Sequence, residues 1–222
     1  MRYNTNMKRK GIIFDLDGTL VNTMGDIAAS MNQALKNRGF PELTADEYRK
    51  KVGWGIKRLT FLSLPEEERQ DETVNNVAAD AVEIYRKNPL IHSILYPGIP
   101  ELISIVKNKK LKTAVLTNKP DPVAQLVIAG LFPPGSFDIV QGEMPGKPRK
   151  PDPASVWELM IDLNLTPADV IFMGDSEVDM ETAVLSGCFA LGVSWGYRPR
   201  ELLEKAGAKQ IIEKPEELLE LL

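Results

Sequence analysis

Short, β-branched apolar runs alternate with amphipathic stretches along most of this chain. Gly11-Ile12-Ile13-Phe14, Thr113-Ala114-Val115-Leu116 and Val170-Ile171-Phe172-Met173 read as buried strands. Weaker strand patterns lie at 137–140, 189–193 and 210–212. Helical periodicity intervenes at 99–109, 121–129, 153–164, 177–187 and 199–206. Strand and helix in repeated alternation predict an α/β fold built on a doubly wound parallel sheet.

One long segment breaks the rhythm. Between Leu20 and about Leu95 only helix signals occur. Ile27, Met31 and Leu35 recur at four-residue spacing, and Gly39 stops that helix. Thr44-Ala45-Asp46-Glu47 has the pattern of a capping box, and a long polar-rich helix is expected from about Pro65 to Arg86. The pattern predicts an α-helical cap domain, residues 21–95, inserted into an α/β core formed by residues 1–20 and 96–222. Hinges are expected near Val21–Thr23 and Leu95–Gly98.

Composition narrows the function. A length of 222 residues suits one core fold with a sizeable insertion. The net charge of −4 argues against a nucleic-acid partner, which normally meets a basic surplus. No apolar run approaches the roughly 18 residues of a membrane span, and the polar start, Met1 to Lys10, lacks the h-region of a secretory leader. A cytoplasmic location without a membrane partner is therefore expected. The single cysteine, Cys188, and single histidine, His92, exclude cysteine-rich zinc sites and any site needing two histidines. Both read as structural residues. Catalysis, if present, falls mainly to carboxylates.

Asp15-Leu16-Asp17-Gly18-Thr19-Leu20 follows the first strand directly. Residues two apart in extended chain face the same side, so both carboxylates can enter one crevice at the strand's carboxyl end. Gly18 allows a sharp turn and close backbone approach to a ligand. Leu116-Thr117-Asn118-Lys119 ends the second strong strand, with a hydroxyl and backbone N–H groups before a helix, a setting that suits phosphate. Lys150-Pro151-Asp152-Pro153 offers a fixed positive charge, and Gly174-Asp175-Ser176-Glu177-Val178-Asp179 places two more carboxylates four residues apart. Singly, the last three read as an N-cap, a solvated lysine and an acidic helix start. Jointly, they place carboxylates, a hydroxyl and a lysine at several strand ends.

In this order the four motifs resemble the haloacid dehalogenase superfamily of phosphotransferases over nearly the whole chain. Within it the likeness is to the phosphoglycolate phosphatase group with a helical cap, supported by the Gly53-x-Gly55 loop and more weakly by Leu95-Tyr96-Pro97-Gly98 and Trp195-Gly196-Tyr197. The resemblance implies that Asp15 attacks phosphorus and forms an aspartyl-phosphate, while Asp17 acts as acid and then base. It implies Mg²⁺ held by Asp15, the carbonyl of Asp17 and Asp175, with Asp179 orienting the shell or holding Lys150. Thr117, Lys150 and backbone N–H groups near Leu16 and Asn118 are then the phosphoryl ligands. Lys150 is preferred over Lys147 because only Lys150 fits Lys-Pro-x-Pro in full.

Retention of Asp17 favours a phosphatase or a sugar-phosphate mutase over the superfamily's dehalogenases and ATPases. Asn22 departs from the aspartate that relatives commonly carry at the hinge. Lys57 and Arg58, beside the cap loop, are candidates for a second anion on the substrate. The expected partner is a small phosphorylated metabolite, with the chain a monomer or homodimer. Alternatives are a β-phosphoglucomutase-type mutase, a pyrophosphatase, and a catalytically silent phosphate-binding protein.

Overall fold

The computed structural model describes residues 9–222, so most of the polar start, Met1 to Lys8, lies outside the described residues. Six strands form one parallel sheet: β1 (Gly11–Phe14), β4 (Lys112–Pro120), β5 (Ile139–Glu143), β6 (Val170–Gly174), β7 (Phe189–Val193) and β8 (Gln210–Ile212), in the spatial order β5-β4-β1-β6-β7-β8. After β1 the chain fills one side of the sheet, then returns to fill the other. The reversal falls between β1 and β6, where Phe14 pairs with Met173. Such reversals open a crevice at the carboxyl ends of the strands.

Alternation along β1 explains why the sheet is covered on both faces. Ile12 and Phe14 enter one apolar layer, whereas Ile13 enters the other with Ala114 and Phe172. Helices α5 (Ile99–Asn108), α6 (Asp121–Leu131), α7 (Ala154–Asp162), α8 (Glu177–Ser186) and α9 (Arg200–Lys205) follow the expected alternation with the strands. Helix α8 stops at Gly187, whose φ of 81° suits glycine.

The insertion holds α1 (Met24–Lys36), α2 (Ala45–Arg49), α3 (Ile56–Ser63) and α4 (Asp71–Lys87). The capping box at Thr44 and Glu47 is formed as expected. Three sequence expectations need correction. The segment expected to lack strands carries β2 (Val21–Asn22) and β3 (Ile94–Leu95), an antiparallel ribbon pairing Val21 with Leu95 and Asn22 with Ile94. Two residues per strand are too few to leave a periodic signature. The long helix expected from Pro65 begins instead at Asp71, after a 3-10 turn at Glu66–Glu68 and an extended Gln70. The strand expected at 137–140 starts later, because Phe137 packs edge-on against Phe14 and Phe132, with ring centroids 6.0 and 5.1 Å away.

At the ribbon, chain direction is held by polar contacts. Buried Asp26 of α1 accepts from the backbone N–H groups of His92 and Ser93 at 2.9 and 2.8 Å. Asn22 Oδ1 accepts weakly from Met24 N, at 3.4 Å. Cys188 is buried against Met160 in the second apolar layer. Among the described residues no helix is long and apolar enough to cross a membrane.

Candidate active site

The carboxyl ends of β1, β4 and β6 converge under the inserted helices. Asp15 directly follows β1 and sits against β6 through its backbone N–H, which donates to Met173 O at 2.9 Å. Asp175 directly follows β6, and Asp179 lies in the first turn of α8. One carboxylate oxygen from each of Asp15, Asp175 and Asp179 lies within 4.8 Å of the others. All three residues are buried. Lys150 Nζ, also buried, donates to Asp15 Oδ1 and to Asp179 Oδ1, at 2.7 Å each. The second oxygen of Asp179 accepts from Ser176 N and Oγ at 3.0 and 2.6 Å, which fixes this carboxylate from both sides.

Asp175 is held as firmly. Its Oδ2 accepts from Tyr197 N at 2.6 Å, and its Oδ1 from Thr19 Oγ1 at 3.2 Å. The close packing explains two glycines. A Cβ at Gly18, whose φ is 91°, would stand 2.3 Å from Asp175 Oδ2, and one at Gly196 would stand 2.2 Å from Asp175 Cβ. Only glycine lets both loops close on this carboxylate.

Asp17 lies slightly outward of Asp15. Its Oδ1 accepts from Thr23 Oγ1 at 2.6 Å and from Lys119 Nζ at 2.9 Å. Lys119 Nζ also donates to the phenol oxygen of Tyr85, on α4 of the insertion, at 3.0 Å. Thr117 is buried and lines the same cavity. Pairing of β4 with β5 is irregular between Leu116 and Pro120, the stretch that carries Thr117 and Lys119. Irregular pairing often marks places where a strand re-aims side chains.

Electrostatics set the chemistry of this cluster. Burial, then the charge of Asp179, pushes the Asp15 carboxyl up to about 7 despite Lys150. Burial and the charges of Asp15 and Asp179 likewise hold Asp175 well above the usual carboxylate range. Burial opposes the charge on Lys150 and Lys119, but Asp15 and Asp179 for the first, and Asp17 and Tyr85 for the second, outweigh it and hold both raised. The four aspartates face two ammonium groups, so full ionisation leaves an excess of negative charge in a buried crevice. An all-oxygen donor set with surplus negative charge fits a hard divalent cation. Asp15 and Asp175 would hold it, while both oxygens of Asp179 are engaged by Lys150 and Ser176.

Of the residues singled out from sequence, Asp15, Asp17, Thr117, Asn118, Lys150 and Asp175 line one cavity, and Asp179 touches Lys150 beneath it. The Asn118 side chain is turned to structure. It donates to the carbonyls of Gly53 and Lys150 at 3.0 Å each and accepts from Lys150 N at 3.0 Å, tying the cap loop to the lysine loop. Lys57 and Arg58 do not reach the cavity. Both are exposed on α3, and the Arg58 guanidinium lies over the Phe61 ring, 5.2 Å from its centroid. At Gly55 α3 begins with Ile56, so Ile56 and Leu59 point inward while the two basic residues between them face out.

Sequence reasoning missed Lys119, Tyr85, Tyr197 and Arg198. Lys119 was legible as the residue two beyond Thr117 on the same strand. The others come from distant elements. Arg198 pairs with Glu177 at 3.0 Å and donates to the carbonyls of Arg49 and Val52, which joins the core to the cap loop. Trp54 Nε1 donates to the same Glu177 at 3.3 Å.

A parallel α/β sheet with buried aspartates at the switch point and a helical insertion over them defines a class that comparison makes definite. A family model described as haloacid dehalogenase-like hydrolase matches residues 12–193, and the chain belongs to that family. It is an enzyme of the family's phosphatase kind, in the group that resembles phosphoglycolate phosphatases. The phosphoglycolate phosphatase of Aquifex aeolicus is 30% identical over 190 residues, covering 84% of this chain and 85% of that protein. The N-acetylmuramic acid 6-phosphate phosphatase of Pseudomonas putida is 29% identical over 217 residues, covering 96% and 92%. A crystal structure from Lactobacillus delbrueckii subsp. bulgaricus superposes with a TM-score of 0.87 at 31% identity, covering 96% of this chain and 97% of that one.

Proposed function

We propose that this chain is a Mg²⁺-dependent phosphomonoester hydrolase that acts through an aspartyl-phosphate on Asp15, with a small phosphorylated metabolite such as phosphoglycolate as substrate. The observation that carries the reading is the shared ammonium of Lys150, 2.7 Å from both Asp15 and Asp179. It holds the Asp15 carboxylate in one orientation and keeps a positive charge where phosphoryl oxygens would sit. Phosphoryl transfer depends mostly on such positioning and charge neutralisation.

In this reading one oxygen of Asp15 attacks phosphorus, with the leaving oxygen in line on the side of Asp17. The P–O bond to the leaving group breaks as the bond to Asp15 forms, and Asp17 gives the departing alkoxide its proton. Ionised again, Asp17 takes a proton from the water that attacks the phospho-aspartate, releasing inorganic phosphate and Asp15. Thr23 fixes the orientation of Asp17 for both steps. Thr117 and Lys150 bind the non-bridging oxygens. Mg²⁺, held by Asp15, the Asp17 carbonyl and Asp175, neutralises phosphoryl charge when bound.

The insertion would close the cleft. Ile27, Met31, Ile56 and Leu59 line its upper wall and would keep bulk water from the phospho-aspartate. We place the reaction in the cytoplasm, with no nucleic-acid or membrane partner and with the chain as monomer or homodimer.

The test is phosphate release from phosphoglycolate, N-acetylmuramic acid 6-phosphate, pyrophosphate and β-glucose-1-phosphate, with Mg²⁺ and with chelator. Turnover that requires Mg²⁺ and vanishes in Asp15→Asn, with an acid-stable phosphoenzyme in the wild type, is expected. Conversion of β-glucose-1-phosphate to its isomer without phosphate release would replace the reading with a mutase.

A further inference from the structure

Trp195-Gly196-Tyr197, in the loop that leaves β7, is pinned to the core at each residue. Trp195 Nε1 donates to Thr19 O at 3.0 Å, Gly196 packs on Asp175, and Tyr197 N donates to Asp175 Oδ2 at 2.6 Å. The Tyr197 side chain is buried, and its phenol meets the hinge 174 positions away in the chain. Its oxygen accepts from Thr23 N at 3.0 Å and lies 3.3 Å from Thr23 Oγ1.

We propose that Tyr197 is a positioning residue for the acid–base step: its phenol holds the Thr23 hydroxyl as a donor to Asp17 Oδ1, so that the proton Asp17 gives to the leaving group is carried on Oδ2. This rests on the phosphatase reading above and adds to it the residue that aims the acid. Donor counting is the first argument. Thr23 has one hydroxyl hydrogen, and an ionised Asp17 only accepts, so at 2.6 Å that hydrogen points to Asp17 Oδ1. The longer contact with the phenol is then made by the tyrosine hydrogen, donated to Thr23 Oγ1. Asp17 Oδ1 also accepts from Lys119 Nζ at 2.9 Å, so both of its lone pairs are occupied and Oδ2 is the oxygen that takes up a proton.

The place of Thr23 is the second argument. It stands at the N-cap of α1, where a threonine hydroxyl ordinarily accepts from the first N–H groups of its helix, and it makes no such bond. The hydroxyl serves Asp17 instead, and Tyr197 takes up the Thr23 N–H. Tyr197 thus holds Asp175 through its backbone and Asp17 through Thr23, which fixes the two carboxylates relative to each other across the cavity they line. Such fixed geometry is what an in-line transfer between bound groups requires.

The test uses Tyr197→Phe, which keeps the ring and the backbone N–H to Asp175 and removes only the hydroxyl. Because kcat/KM covers the steps through departure of the leaving group, its ratio for phosphoglycolate over p-nitrophenyl phosphate isolates the need for a proton. The ratio should fall about tenfold, the scale of one lost hydrogen bond, and by less than in Asp17→Asn. Thr23→Ser should keep the wild-type ratio, and Thr23→Val should lower it. The two hydroxyls act in series, so Tyr197→Phe combined with Thr23→Val should be no worse than Thr23→Val alone, whereas independent sites would multiply their losses. Should the phenylalanine variant not fold, Tyr197→Met, which also lacks the hydroxyl, gives the same readings. Equal falls on both esters, an unchanged ratio, or multiplied losses in the double variant would overturn the inference while the phosphatase stands. Failure of wild type to release phosphate from p-nitrophenyl phosphate, or equal losses on both esters in Asp17→Asn, would overturn the phosphatase or its acid first, and the inference with it.

Discussion

Replacing Asp15 by asparagine should make the cation-free protein more stable at pH 8 while abolishing turnover. Asp15 is buried beside Asp179, and its carboxyl is pushed up from 3.8 to about 7. The native state thus binds this proton more tightly than the unfolded chain does. Between the unfolded value near 4 and the folded value near 7, stability falls as pH rises, by about 1.4 kcal/mol per pH unit at full effect. From pH 5 to pH 8 the slope acts over about two units, a loss of about 3 kcal/mol. For a chain of this size that is roughly 6–12 °C in Tm. Asp175 is raised by the same neighbours and acts in the same direction. The carboxyls of Glu47, Asp138 and Asp169 are lowered instead, so their contributions change below this window.

Asparagine at position 15 cannot ionise, so the variant lacks this slope, and the difference between wild type and variant removes contributions common to both. The assay is thermal unfolding of both proteins in chelator at pH 5, 6, 7 and 8. Added Mg²⁺ should stabilise wild type at pH 8, by about 2.7 kcal/mol at a hundredfold excess over Kd. It should do little at pH 5, where protons occupy Asp15. Parallel Tm curves for the two proteins from pH 5 to pH 8 would refute the charge-excess reasoning.

Three further outcomes can be checked with the same preparations. Asp17→Asn should lower kcat on alkyl phosphates by about 10²–10⁴-fold, yet spare much more of the activity on p-nitrophenyl phosphate, whose leaving group needs no proton. Equal loss on both would remove Asp17 from the acid role. Lys150→Met leaves Asp15 and Asp179 buried without their shared partner, so chemical denaturation should show a loss of about 3–5 kcal/mol together with inactivity. A variant as stable as wild type would contradict the geometry at 2.7 Å. Lys57→Ala and Arg58→Ala should each change KM for phosphoglycolate by less than about threefold, since surface changes away from a site are small. A larger rise in KM would return these residues to the binding site.

Much of this site could be read along the chain, because its chemistry sits where pattern is strongest. Buried strands announce themselves by runs such as Ile12–Phe14 and Val170–Met173, and the residues that follow them, Asp15, Asp17 and Asp175, inherit a place at the strand ends. The sequence also marked the insertion, through the four-residue recurrence of Ile27, Met31 and Leu35 and the capping box at Thr44. It did not reveal the hinge ribbon, where Val21 pairs with Leu95 across 74 positions in two-residue strands. Nor could it decide which cations face the cavity. Lys57, Arg58, Lys119 and Arg198 are equally basic in the sequence. Only the packing of α3 turns the first two to solvent, and only the fold brings Lys119 to Asp17, 102 residues away, and to Tyr85, 34 away. Local periodicity fixes the direction of a side chain relative to its own element. Which group it then meets depends on contacts between elements far apart in the chain, and those exist only once the insertion has closed over the sheet.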